Sequence, residues 1–165
     1  MMDELFIIQS EQGDEYKLRI ASTDSGMVSD KVRQQLLAAG LVVLDIDLYR
    51  SKGSNVTDHK ILARIEDCIA DVFFKHSNAV ICFFCDFIGL LPNTTKTMSV
   101  QEYRSLLFSR MFERYVKTHH IGGVHNHVVT VKGVAEDYYV HVIARVEHGQ
   151  FARMIGEGIQ KDFGK

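Results

Sequence analysis

AVICFFCDF, residues 79–87, carries no charge before Asp86. An unbroken apolar run of this length, rich in β-branched and aromatic residues, is the pattern of a central strand covered on both faces. Its neighbours fit that reading. Upstream, residues 58–76 place Ile61, Ile65, Cys68, Ile69 and Val72 at three- and four-residue steps, an amphipathic helix. Before it, LVVLDIDLYR (41–50) alternates, with Val42, Leu44, Ile46 and Leu48 on one face and Asp45, Asp47 and Tyr49 on the other. Downstream, SVQE (99–102) is a capping box, in which the Ser99 hydroxyl meets the Glu102 N–H and the Glu102 side chain reaches back, with Met98 and Tyr103 flanking as a hydrophobic staple. The helix it starts should run to Thr118 or His119, with Val100, Tyr103, Leu107 and Met111 in one stripe, widened by Phe108, Phe112 and Tyr115.

Hairpins frame this centre. ELFIIQS (4–10) and YKLRIAS (16–22) are joined by a polar turn, and VHNHVVTV (124–131) and YYVHVIARVE (138–147) by KGVAED. A short helix over SDKVRQQLLAAG (29–40), N-capped by Ser29 and stopped by Gly40, and a last helix from about Gln150 with Phe151, Ile155 and Ile159, complete the order ββαβαβαββα. We expect an α+β fold, a mixed β-sheet of about six strands with about four helices packed on it. The strand–helix–strand–helix–strand centre implies right-handed crossovers and the hairpins antiparallel edges. With 165 residues and no linker or repeat, one domain spans 1–165.

The formal net charge of −2 sets up no field for phosphate backbones, so no nucleic-acid partner is expected. No segment approaches the roughly 18 apolar residues of a membrane span, and the acidic start lacks a signal peptide's pattern, so a cytoplasmic protein is expected. Cys68, Cys82 and Cys85 sit in apolar runs, as buried free thiols do. Although Cys82 and Cys85 match C-x-x-C, residues three apart on a strand point to opposite faces.

HHIGGVHNH (119–127) holds four of the eight histidines. His119 and His120 suit the last turn of the long helix, which Gly122 or Gly123 can end in the left-handed conformation. His125 and His127 share one strand face, and whether His141 joins them depends on the hairpin register. If Val124 and Val128 lie with the core, the three imidazoles converge and could hold a divalent metal, with Glu147 or Asp86 as accessory carboxylate. A shift of one residue separates them. No cofactor is otherwise expected. Asp86, at the exit of a central strand, stands where sheet proteins place ligand contacts, although the sequence favours a turn-initiating or helix-capping aspartate. Arg110 and Arg114 share one side of the long helix with Lys117, while Arg104 lies on the other; these arginines are candidate contacts for an acidic ligand or partner, or a solvated face. No Gly-rich phosphate loop, G-x-S-x-G elbow or H-E-x-x-H appears, and GEG at 156–158 is too short to count. Asp45 and Asp47 lack the further carboxylates of a two-metal site. The catalytic residues of any reaction are therefore unknown.

NAVICFFCD (78–86), YRSLLFSRMFERY (103–115) and YYVHVIARVE (138–147) together resemble an uncharacterised family of small bacterial proteins. In that family a strand ending in Cys-Asp precedes an Arg-containing, aromatic-rich helix and a final Tyr-rich strand. The likeness covers roughly the latter two-thirds of the chain. It departs where FIGLLPNTTKT (87–97) replaces a short acidic, Gly-containing turn and where Met111 takes the place of a usual tryptophan. The resemblance implies a bacterial origin and a shared fold, and no catalytic residue.

The leading expectation is a non-enzymatic binding or protein-interaction module for an unknown protein or small molecule, able to form a homodimer through an edge strand or an exposed helix face. A spare hydrophobic patch would support it. The alternatives are a small metal-binding protein or enzyme using His125, His127 and His141, and an acyltransferase-like small enzyme.

Overall fold

A computed structural model describes residues 2–22, 27–84, 99–134 and 137–164. Cys85, Asp86, Met98 and residues 87–97 lie outside the described residues. The order is β1 (Asp3–Gln9), β2 (Glu15–Ala21), α1 (Asp30–Ala38), β3 (Val42–Lys52), α2 (His59–Lys75), β4 (Ala79–Phe84), α3 (Val100–Thr118), β5 (Val124–Val131), β6 (Tyr138–Arg145) and α4 (Gly149–Phe163), with a 3-10 turn at Val146–His148 before α4. The sequence order of strands and helices is the expected one. The six strands form one mixed sheet in the order β1-β2-β3-β4-β6-β5, in which β3 and β4 pair in parallel and the other neighbours antiparallel. The closing hairpin thus inserts β6 between β4 and β5.

Alternation along the strands builds two cores. Leu44, Ile46 and Leu48 of β3, Ala79, Ile81 and Phe83 of β4 and Ile143 of β6 pack with α2 and with Phe108 of α3. On the other face Val43, Val80, Cys82, Val140, Val142 and Ala144 pack with Leu36 of α1 and with Ala152, Ile155 and Ile159 of α4. Both faces of β4 are consumed, which is why 79–84 reads as an unbroken apolar run. Burial pushes the Cys82 thiol up to about 12, aided by the charge of Asp45, so it stays protonated. Asp45 itself, on the polar face of β3, receives the Arg33 guanidinium of α1 at 2.6 Å.

The helix ends show why these segments are helical. Ser29, Asp58 and Ser99 each accept an N–H from three residues on, at 3.3, 2.9 and 3.1 Å. Gly40 ends α1 at φ +79°, and Leu41 N–H returns to Leu36 C=O at 2.8 Å, a Schellman closure with both leucines buried. The C-terminus of α2 is held by β6: Arg145 donates to Phe73 C=O at 2.8 Å and His76 C=O at 3.2 Å, its guanidinium 4.1 Å over the Phe73 ring.

Two readings are corrected. At the end of α3 the left-handed residue is His120 (φ +54°), not Gly122 or Gly123, because Ile121 N–H closes on Val116 C=O at 2.8 Å and fixes the reversal one residue earlier. Gly123 (φ +73°) bends the chain afterwards into β5. And β6 stops at Arg145, so Val146 and Glu147 belong to the 3-10 turn rather than to a strand face. GEG has a packing role: a Cβ on Gly156 would lie 3.0 Å from Val129 Cγ2, so its absence lets α4 approach β5 closely. Among the described residues, no helix is long and apolar enough to cross a membrane.

Candidate functional site

The β5–β6 register decides the histidines. His125 lies opposite Ala144 and His127 opposite Val142, whereas His141 lies opposite Val128 and its face neighbour Ile143 opposite Asn126. His125 and His127 therefore point to the α4 side and His141 to the α3 side. The parity is set by Val129 and Val131, which join the α4-side core; the register that would gather the three imidazoles would strip both valines from it. His125 and His127 rings are 6.1 Å apart, and burial, then His125 and Arg153, lower the pKa of His127. Among the described residues no three His, Cys, Asp or Glu side chains are grouped to hold a metal. Glu147 sits in the 3-10 turn, and Asp86 lies outside the described residues.

The arginines of α3 do not converge either. Arg110 and Arg114 are exposed, and Arg114 donates to Glu66 of α2 at 3.4 Å; Arg104 is half-buried near the start of the helix.

His141 enters a different constellation. Its Nε2 shares a 2.9 Å hydrogen bond with Ser105 Oγ, and its Nδ1 a 3.0 Å bond with Asn126 Oδ1. The Asn126 carbonyl can only accept, so Nδ1 carries the proton and Nε2 accepts from the Ser105 hydroxyl. Burial lowers the His141 pKa to about 4, which keeps the ring neutral at pH 7. A hydroxyl, a neutral base and an orienting group in series is the connectivity of an acyl-transfer centre. Yet His141 is 0% and Ser105 5% exposed, so the relay is closed as it stands. What it does in this conformation is satisfy every hydrogen-bonding atom of a buried imidazole and pin α3 to β5 and β6.

Beside the relay lies a cleft. Phe108, one turn after Ser105, meets the His141 ring edge-on at 4.8 Å and also lines an apolar cavity of about 60 Å³ between α2 and α3. Ile69 and Phe73 of α2, Met111 and Phe112 of α3 and Ile143 of β6 also line it. Glu66 is the one charged lining residue; burial raises its carboxyl, and Arg114 acts against that rise. Phe74, another lining residue, is 47% exposed, so the cavity reaches the surface. Phe108, Phe112 and Tyr115 of the cleft were legible as the wide apolar stripe of α3, whereas Phe73 and Phe74 of α2 were not. Ser105 and Asn126 were not, since each becomes a neighbour of His141 only through the strand register.

No protein-family model, curated protein or solved structure matches this chain.

Proposed function

We propose that the protein is a non-enzymatic binding module whose α2–α3 cleft receives one apolar anchor of a protein partner. The observation that carries this reading is the apolar, surface-reaching cavity between Phe73, Met111, Phe112 and Ile143. Its size chooses the class of occupant. Small-molecule and cofactor sites run to about 300–1,000 Å³, whereas about 60 Å³ suits a single small aliphatic side chain. A buried anchor in such a pocket is how hot spots deliver interface affinity. Apolar cavities also take up xenon, which supplies a probe small enough for this one. Dissolving xenon under pressure in labelled protein should shift the amide NMR signals of Ile69, Phe112 and Ile143 saturably, and Ala70→Phe, which fills the cleft, should abolish the shifts. Signals unmoved at xenon saturation would refute the reading.

A second reading, acyl transfer, is favoured by the Ser105–His141–Asn126 connectivity alone. It requires Ser105 to react with a fluorophosphonate probe, giving a covalent mass increase that Ser105→Ala loses. Absence of labelling removes it.

A further inference from the structure

Strand β1 is an edge of the sheet, paired on one side only with β2. The bonds Ser22 N–H to Met2 C=O (3.0 Å) and Ser10 N–H to Asp14 C=O (2.9 Å) mark the even-numbered residues at both ends as hydrogen-bonded pairs. Alternation along an antiparallel ladder extends this to Glu4, Phe6 and Ile8. The N–H and C=O groups of Asp3, Leu5, Ile7 and Gln9 therefore point out of the sheet. At the far end the edge is covered, since Arg64 donates to the Gln9 carbonyl at 2.9 Å. Its centre is bare.

The side chains at that centre are also exposed. Leu5 is 58% and Ile7 54% accessible, on the face opposite Phe6 and Ile8, where α1 packs on β3 and α4 on β5 and β6. Native edges are guarded by charged side chains, lysine above all, by proline or by a bulge. DELFIIQ carries its two charges, Asp3 and Glu4, at one end, has no lysine or proline, and pairs with β2 without a register shift. The opposite edge is treated differently: Gln160 of α4 reaches over β5 and donates to the Thr130 carbonyl.

We infer that β1 pairs antiparallel with β1 of a second copy about a two-fold axis through Phe6. Outward groups sit on odd-numbered residues, so hydrogen-bonded partners must both be odd. Of the registers that allow this, the one that pairs every residue of the strand sets Leu5 opposite Ile7 of the second copy, Asp3 opposite Gln9 and Glu4 opposite Ile8. No like charges oppose each other. Leu5 and Ile7 with their two mates form one apolar patch on the open face, and the two central pairs exchange four backbone hydrogen bonds. One slip to either side loses two residue pairs from the ladder. The result is a continuous twelve-stranded sheet and an isologous dimer.

The inference is independent of the cleft. Sedimentation should give twice the 18.8 kDa chain mass, and Ile7→Lys, a surface change, should give the single-chain mass with an unaltered circular-dichroism spectrum. To fix the register, Leu5→Cys chains are mixed with Ile7→Cys chains and oxidised. Opposed residues in a hydrogen-bonded pair lie about 5.5 Å apart at Cα, within disulfide reach, so the mixed dimer should cross-link faster than either variant alone. A single-chain mass for the unsubstituted protein, or a dimer that Ile7→Lys and the mixed cross-linking leave unaffected, overturns the proposal.

Discussion

His141 makes stability depend on pH in a defined direction. Its folded pKa, about 4, lies below the ordinary 6.5, so between those values the unfolded chain binds more protons. Stability is present in full above pH 6.5 and falls as pH drops through this window. From pH 7 to pH 5 the loss should be about 2 kcal/mol, read by urea denaturation, and His141→Gln should lack it. Ser105→Ala, which leaves Nε2 buried without a donor, should cost about 1–3 kcal/mol at pH 7. His120 is the opposite case, a residue that a simpler one improves. At φ +54° it pays for a left-handed conformation that glycine adopts freely, so His120→Gly should raise the urea midpoint by an equivalent of about 0.5–1 kcal/mol.

At the scale of elements, the helices and strands were largely legible because local chemistry declares them. Ser29 and Ser99 cap the helices they precede, and the two-residue alternation of 42–48 survives intact as the two faces of β3. Parity on β5 was not legible, since Val124 and Val128 argue for one face and Val129 and Val131 for the other with equal local force. Only contact with α4 breaks that tie. The placement of β6 between β4 and β5 is likewise a tertiary outcome, as is the use of Arg145 to hold the end of α2. Arg145→Met should cost about 1–2 kcal/mol through the lost carbonyl contacts, and Arg145→Lys should restore less than half, because an ammonium cannot serve both carbonyls while stacked on Phe73. Gly53, just beyond β3, is more constrained still: at φ +95° a Cβ would fall 1.6 Å from Asp14 Oδ1. Gly53→Ala should cost at least about 2 kcal/mol, measured in the same assay.

For the whole molecule, the fold separates two tasks. On the α1–α4 face Gly156 lets α4 pack closely on Val129 of β5, whereas the α2–α3 face leaves a cavity beside a fully satisfied polar relay. Phe108 touches both, meeting the His141 ring and lining the cavity in which a partner's anchor would lie. Of the histidines prominent in the sequence, His119 and His120 lie at the end of α3, His125 and His127 share the α4 side of β5, and His141 alone takes the α3 side. The most direct test of the cleft as a receptor for an apolar anchor is diffraction from a crystal pressurised with xenon, which enters dry apolar cavities. The account predicts a xenon atom between Phe73, Met111 and Ile143 that Ala70→Phe removes. A crystal that binds xenon elsewhere and leaves the α2–α3 cleft empty would contradict it.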